Sequence, residues 1–265
     1  MACPMNASAR GRFAPNVASP RCRLQPANTM ASLPPIMLFD PPLTAGVLVR
    51  RYKRFLADVA IAGRAEIAHC ANPGSMLGLA EPGSAIWLSA SLNPLRRLRF
   101  TWELVTADGA LVGINTACAN RLAEEAIRAG RIEPLAGYAS LRREVAYGEG
   151  SRIDFLLEAP GRPACYVEVK SVTLKRRMAA EFPDSVTARG ARHLRELSAM
   201  AAAGKRAVML FVAQREDCAS LAVAADIDPA YARALAVARE AGVEILAYAC
   251  RVRPTGIEIA CPLAL

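Results

Sequence analysis

The strongest constraint on the fold is a change of pattern near residue 115. Before it, six short segments rich in apolar and β-branched residues are separated by turn signals such as Pro-Gly and Asp-Gly. After it, apolar strand-like segments alternate with longer segments of helical period. The first pattern predicts a small barrel or sandwich, and the second predicts an α/β fold, so the chain is expected to form two domains. The strands predicted in the first part are 46–51, 55–61, 65–71, 85–91, 100–106 and 110–114.

The second part is predicted to open with a helix that starts at Thr116 as N-cap and ends at Gly130. Gly204 and Gly242 are predicted to end two further helices, over 185–203 and 228–242. The strands predicted in this part are 142–147, 151–158, 164–172, 207–213 and 243–248.

Composition excludes several classes of protein. The chain has 265 residues, of which 53% are hydrophobic, so it can bury a real core. Its longest clearly apolar run, 207–213, is far shorter than the roughly 20 residues of a membrane-spanning helix. The eight cysteines form no C-x-x-C pair, which argues against a zinc ribbon or a thioredoxin-like site. Reduced, mostly buried thiols in a cytoplasmic protein are expected.

The segment 1–37 differs from the rest of the chain. It contains four arginines, six prolines and no acidic residue, and it shows neither a helical nor a strand period. A disordered extension is expected. Its composition weakly resembles a transit peptide, but a misassigned start upstream of Met30 or Met37 is the favoured explanation.

The hairpin predicted over 151–172 carries the most informative polar residues. Strand alternation places Glu168 and Lys170 on one face, and a hairpin symmetric about Gly161 pairs residues whose numbers sum to 322, so Asp154 faces Glu168. Two opposed carboxylates repel unless a cation lies between them. Mg²⁺ and Mn²⁺ prefer oxygen ligands and leave water positions for a substrate phosphate. Lys170 would then orient a water or stabilise developing charge, as phosphodiester hydrolysis requires. A solvated hairpin with no such role is the alternative.

The helix predicted over 185–203 places Arg189, His193 and Glu196 on one face. If this face borders the hairpin, Arg189 and His193 would hold a phosphate or move a proton. A structural i, i+4 pair is the equally weighted alternative.

The net charge of +9 favours a nucleic-acid partner bound largely without sequence preference. Phe55, Phe100 and Trp102 lie near two basic clusters of the first domain, where they would stack on bases. A third cluster follows the hairpin and would grip backbone phosphates. The predicted phosphate-binding residues are Arg50, Arg51, Lys53, Arg54, Arg96, Arg97, Arg99, Lys175, Arg176 and Arg177.

The chain from about residue 38 resembles the sugar fermentation stimulation protein A family of bacteria and archaea, and the hairpin resembles the metal site of the PD-(D/E)xK nuclease superfamily. The matching strings include N-P-G-S-M at 72–76, L-R-R-E-V-A-Y-G at 141–148, S-R-I-D-F at 151–155, Y-V-E-V-K-S-V-T-L at 166–174 and F-P-D-S-V-T-A-R-G at 182–190. The resemblance implies an α+β protein in which an OB-like β-barrel over 38–115 precedes a restriction-endonuclease-like α/β domain with a mixed central sheet over 116–265.

The resemblance also implies roles for particular residues. Asp154 and Glu168 would bind Mg²⁺ or Mn²⁺, and Lys170 would be the catalytic lysine. A further acid is expected on the first helix, for which Glu124 and Glu125 are both candidates. Glu144 is a third candidate, although an ion pair with Arg142 or Arg152 is the favoured role for it.

The expected function is therefore DNA binding with a magnesium-dependent phosphodiesterase site. The alternative is a DNA-binding regulator of sugar catabolism genes that uses a nuclease-like scaffold without catalysis. RNA as a second partner and a homodimer are kept as further expectations, and no membrane association is expected.

Overall fold

A computed structural model describes residues 37–148 and 150–265 of the chain. The extension expected over 1–37 therefore lies outside the described residues, apart from Met37. Met37 and Leu38 form the short strand β1 (Met37–Leu38), which pairs antiparallel with β16 (Gly256–Pro262) at the far end of the chain. Leu38 thus bonds to a sheet of the second domain. The domain bounds 38–115 and 116–265 stay a prediction.

The first domain is a closed barrel, as expected. Five strands follow one another around it, and the parallel pairing of its third and fifth strands closes it; a sixth strand extends the sheet. In chain order the strands are β2 (Thr44–Tyr52), β3 (Leu56–Ile61), β4 (Arg64–Cys70), β5 (Ala85–Ala90), β6 (Phe100–Ala107) and β7 (Ala110–Gly113).

The aromatic residues of β6 fill the barrel. Trp102 is fully buried and Phe100 is 7% exposed, and both pack in the core with residues such as Leu48 and Ile86. The prediction that Phe100 and Trp102 stack on bases is therefore wrong, because alternation along β6 turns both of them inward. Phe55 alone of the three aromatic candidates is exposed, at 44%.

The second domain is built on a seven-stranded mixed sheet, also as expected. The strands lie in the order β1-β16-β15-β13-β10-β9-β8, with parallel pairing of β10 with β13 and of β13 with β15. A smaller sheet has the order β11-β12-β14. The remaining elements are α1 (Cys118–Arg128), a 3-10 turn (Glu133–Leu135), β8 (Ser140–Tyr147), β9 (Ser151–Glu158), β10 (Cys165–Val172), β11 (Leu174–Arg176), β12 (Ala179–Phe182), α2 (Ala188–Ala202), β13 (Arg206–Ala213), β14 (Ser220–Val223), α3 (Pro229–Glu240) and β15 (Glu244–Arg253).

The helices cover both faces of the large sheet. Apolar residues of α1 pack on one face, and those of α2 and α3 pack on the other. Thr187 and Asp228 cap the first turns of α2 and α3 by accepting backbone N–H groups. The prediction that Thr116 caps α1 is wrong, because its hydroxyl donates to the carbonyl of Ala71 in the barrel and Ala117 takes the N-cap position. No helix of the described part combines the length and apolar character needed to cross a membrane.

A network of charged residues around the buried Arg215 joins the two domains. Arg215 has a side chain only 2% exposed and donates to Asp217 (2.6 and 2.8 Å) and to the carbonyl of Thr173 (2.9 Å). Lys175 donates to the same Asp217 (2.6 Å). Asp108, on the turn between β6 and β7 of the barrel, lies 3.4 Å from Arg215 and 3.8 Å from Lys175. Lys175, predicted to bind phosphate, is thus 13% exposed and held within the protein.

A second junction lies beside α2. Asp184 accepts the backbone N–H of Met76 from the barrel (3.1 Å), and Ser75 donates its hydroxyl to the carbonyl of Asp184. A Cβ on Gly74 would lie 2.3 Å from the Asp184 carboxylate, so the close approach depends on glycine at that position. The strings at 72–76 and 182–190 therefore meet in space.

Candidate metal centre at the domain junction

The hairpin of β9 and β10 has the predicted register. Cys165 pairs with Leu157, Tyr166 with Leu156, and the numbers of each pair sum to 322. The ladder ends one pair before Asp154 and Glu168, because the Asp154 carboxylate accepts the backbone N–H of Val169 (2.7 Å). Asp154 thus takes the place of a backbone partner at the point where the strands separate.

The Asp154 carboxylate is held on both oxygens. Its second oxygen accepts the side-chain amide of Asn120 on α1 (2.7 Å). Burial raises the pKa of Asp154, and the negative charge of Glu168 raises it further, although the bonds from Val169 and Asn120 act in the opposite direction. A site that disfavours the charged form of a carboxylate is one in which a cation would be stabilised.

Glu168 is 3% exposed and uses only one of its two oxygens. Its Oε1 accepts Lys170 Nζ (2.6 Å) and the His193 ring, whereas Oε2 is buried with no hydrogen-bond partner among the described residues. Burial by itself raises the pKa of Glu168, but the bond from His193 and the charge of Lys170 outweigh it and lower the pKa. Glu168 is therefore an ionised carboxylate with one buried acceptor oxygen left over.

His193 positions Glu168 from α2. Arg189 Nε donates to His193 Nε2 (3.2 Å), so the ring carries its proton on Nδ1 and donates it to Glu168 Oε1. His193 is 2% exposed, which removes it from contact with a phosphate. Arg189 and His193 thus converge on the hairpin as predicted, but they act on Glu168.

Glu196 and Tyr147 are two further polar residues close to Glu168. Glu196 accepts the Ser151 hydroxyl (2.7 Å). Its other oxygen and the Tyr147 hydroxyl are buried and form no hydrogen bond among the described residues. Burial raises the pKa of Tyr147, and the charges of Glu168, Glu196 and Asp154 add to this effect. The phenol therefore stays protonated near three carboxylates.

The acids predicted on α1 point elsewhere. Glu124 pairs with Arg128 (2.9 Å) and with Arg143 (3.3 Å), and Glu125 pairs with Arg121 (2.9 Å). Asn120, which sequence reasoning missed, is the α1 residue that reaches Asp154. Asn120 lies one helical turn before Glu124. The prediction from sequence was for an acidic side chain on this helix, so it did not include the amide of Asn120.

Glu144 lies outside the site as well. It has a left-handed backbone (φ 53°) within β8, and its carbonyl accepts Arg152 Nη1 (2.8 Å). Arg142 pairs with Glu158. The predicted ion pair of the Glu144 carboxylate with Arg142 or Arg152 is therefore not formed among the described residues.

The site opens into a cleft of about 430 Å³ between the domains, called the catalytic cleft below. Both domains contribute to its lining, which includes Arg54, Gly74, Asn120, Lys170, Asp184 and Thr187. Lys170 has a 14% exposed side chain and joins the buried Glu168 to this space. A substrate phosphate would approach through the cleft.

The donor set suits a hard divalent cation. It offers two carboxylates, one of which has an unpartnered buried oxygen, and an adjacent ammonium group. No cluster of three or more His, Cys, Asp or Glu residues able to hold a metal occurs in residues 37–148 and 150–265. A cation at this position would complete its coordination with water and substrate oxygens, as Mg²⁺ commonly does.

The predicted phosphate-binding residues divide into two groups. Several are bound within the protein: Arg50 pairs with Asp58 (2.7 Å), Arg51 donates to the carbonyls of Asn72 and Gly74, and Arg176 pairs with Asp226. Arg96 donates to Thr101 (2.9 Å). Among the predicted phosphate-binding residues, those that are exposed and form no ion pair within the described part are Lys53, Arg54, Arg96, Arg97, Arg99 and Arg177.

Comparison with known proteins gives the family. Residues 49–114 match the profile described as the SfsA N-terminal OB domain, and residues 117–256 match the sugar fermentation stimulation protein RE domain. Two curated relatives, both described as sugar fermentation stimulation protein homologs, come from Paramagnetospirillum magneticum and Rhodospirillum centenum. They are 56% and 60% identical over 230 and 225 residues, which cover 86% and 84% of this chain and 98% and 97% of the relatives.

A solved structure agrees with these matches. It is that of Pyrococcus furiosus SfsA in complex with Ca²⁺, 29% identical with a TM-score of 0.80, and the match covers 87% of this chain and 98% of that one. The family profiles, the curated relatives and the solved structure agree. The chain belongs to the sugar fermentation stimulation protein family.

Proposed function

We propose that the protein is a Mg²⁺- or Mn²⁺-dependent phosphodiesterase that acts on DNA. The observation that carries the proposal is the unpartnered, buried Oε2 of Glu168, which lies on an ionised carboxylate near Asp154 and beside Lys170. A buried acceptor of this kind costs free energy unless it binds a ligand. A hard cation is the ligand that both carboxylates favour.

Each residue has a distinct role in this proposal. Asp154 and Glu168 would hold the cation, which would supply Lewis acidity and lower the pKa of water there. Lys170 neutralises charge that develops on the phosphate, because it borders the catalytic cleft. Asn120 and His193 fix the two carboxylates through hydrogen bonds, in the way that outer-shell residues orient metal ligands.

Similarity to the Pyrococcus furiosus protein supports a divalent cation, because that relative was solved in complex with Ca²⁺. Ca²⁺ and Mg²⁺ share a preference for carboxylate oxygens. The net charge of +9 supports a DNA partner bound through its phosphates. The expectations of RNA binding and of a homodimer gain no support from the described residues, and we do not extend the proposal to them.

The test is cleavage of linear and circular DNA, single-stranded and duplex, by the purified chain with Mg²⁺, Mn²⁺ or EDTA. Cleavage that requires Mg²⁺ or Mn²⁺ is expected. Binding of DNA without cleavage of any substrate under these conditions would instead favour the non-catalytic regulator.

Asn120→Ala should lower the rate of this cleavage by about 10- to 100-fold, because it frees the Asp154 carboxylate to rotate away from the cation. The matched control is Glu125→Gln on the same helix, which removes an acid whose one ion pair among the described residues is with the exposed Arg121. Steady-state rates with varied Mn²⁺ measure both variants. Equal losses in the two would contradict the assigned geometry.

A further inference from the structure

A second depression lies on the barrel, at its β2–β4 face. It has a volume of about 950 Å³ and is called the barrel groove below. Its apolar lining includes Val49 and Ile67, which are 49% and 45% exposed. Its charged lining residues are the cations Lys53, Arg97 and Arg99 and the acids Asp58 and Glu66, of which Asp58 is paired with Arg50. Apolar side chains with an excess of cations suit a nucleic-acid strand, which presents both bases and phosphates.

One turn separates the barrel groove from the catalytic cleft. The connection between β2 and β3 consists of Lys53, Arg54 and Phe55. Lys53 lines the groove, and Arg54 lines the cleft. Both are exposed, and neither forms an ion pair within the described part of the chain. Two adjacent free cations therefore face two different spaces.

The backbone of this turn is unusual for such residues. Lys53 and Arg54 have φ values of 46° and 63°, in the left-handed region that Gly and Asn occupy most readily. Non-glycine residues in this region carry strain. The turn between β3 and β4 makes the same use of the region with Ala62 and Gly63, at φ 47° and 78°. Lys and Arg thus occupy positions where smaller residues would be more stable.

We infer that the Lys53–Arg54 turn guides a single DNA strand from the barrel groove into the catalytic cleft. This inference rests on the proposed function, since the cleft is where that function cuts DNA. The two cations bind successive phosphates, one on each side of the turn. Their strained backbone is retained because the charges are needed there.

The chemistry of the groove favours an unpaired strand over a duplex. A duplex keeps its bases stacked inside and presents phosphates, so it gains little from an aliphatic lining. An unpaired strand exposes bases that pack on apolar and aromatic side chains. Phe55 is the last residue of the turn, is 44% exposed and stacks on His69 with ring centroids 6.4 Å apart. It lies outside the lining of the groove and provides such a surface beside the turn itself.

The test compares Lys53→Asn/Arg54→Gly with the control Ala62→Asn. Both variants place residues suited to the left-handed region in exposed hairpin turns of the barrel, so both should raise the unfolding midpoint by about 2–4 °C. Only the first removes charge. It should weaken binding of a 20-nucleotide single strand by at least about tenfold in EDTA, and the salt dependence of log K should fall by about 1.4. The control should bind as the unmodified chain does.

Fluorescence anisotropy of labelled single-stranded and duplex DNA of one sequence gives these affinities. Unchanged single-strand affinity in Lys53→Asn/Arg54→Gly, or binding of duplex at least as tight as binding of the single strand, would overturn the inference. Absence of cleavage of every substrate, with the turn variant still impaired in binding, would instead overturn the proposed function. If the turn variant fails to fold, Lys53→Gln/Arg54→Gln removes the same charges and gives the same comparison.

Discussion

Asp154→Asn should lower the rate of metal-dependent DNA cleavage by about a thousandfold and leave DNA affinity within about twofold. The substitution keeps the size of the side chain and an oxygen that accepts the Val169 N–H, so the separation of the strands at this point is retained. It removes the negative charge of one of the two carboxylates that would hold the cation. Binding persists because phosphate contacts are spread over exposed cations elsewhere. Single-turnover cleavage with Mn²⁺ and binding in EDTA measure the two effects separately.

The matched control for Asp154→Asn is Glu158→Gln. Glu158 lies four residues further along the same strand and pairs with Arg142 at the surface. Its loss should leave the cleavage rate within about twofold, since exposed ion pairs contribute little. Cleavage by Asp154→Asn at the unmodified rate would mean that another site performs the chemistry.

The hairpin was predictable because its determinants are local. Alternation along β9 and β10 sets the faces, and Gly161, with φ 72°, lies in the connection between the strands, so the register follows from the residue numbers. The predicted register holds for the three pairs from Cys165–Leu157 to Val167–Phe155, and Asp154 and Glu168 follow directly after the last of them. The end of the ladder before Asp154 was not predictable, because it depends on a hydrogen bond to Val169 that no periodicity encodes.

The cations illustrate what sequence leaves open. Arg51 and Arg54 stand three residues apart in one basic cluster, yet Arg51 satisfies carbonyls of the 72–75 loop and Arg54 faces the catalytic cleft. A cluster of basic residues in the sequence shows only that these cations are close to one another along the chain. Which of them is free depends on loops brought in from distant parts of the chain. The pairing of β1 with β16 is non-local in the same way.

Arg215→Met should destabilise the protein by about 3 kcal/mol, which lowers the unfolding midpoint by about 6–12 °C. Arg215 is almost fully buried and joins Asp217 to the domain junction, so its loss leaves a largely buried carboxylate whose remaining cationic partner among the described residues is Lys175. The control is Arg253→Met, which removes a surface partner of the neighbouring Glu216 and should cost less than about 1 kcal/mol. Thermal and urea unfolding measure both changes.

The pH dependence of stability gives an independent readout of the same network. Burial by itself raises the pKa of Asp217, but the bonds from Arg215 and Lys175 outweigh it and lower the pKa from 3.8 to about 2. A lowered pKa in the folded state means that the stabilisation, about 2 kcal/mol, is present above pH 3.8 and is lost as the pH falls toward 2. In Arg215→Met this loss should shrink, because the pKa of Asp217 returns toward 3.8. An unchanged acid profile in that variant would show that Arg215 does not hold the carboxylate in its charged form.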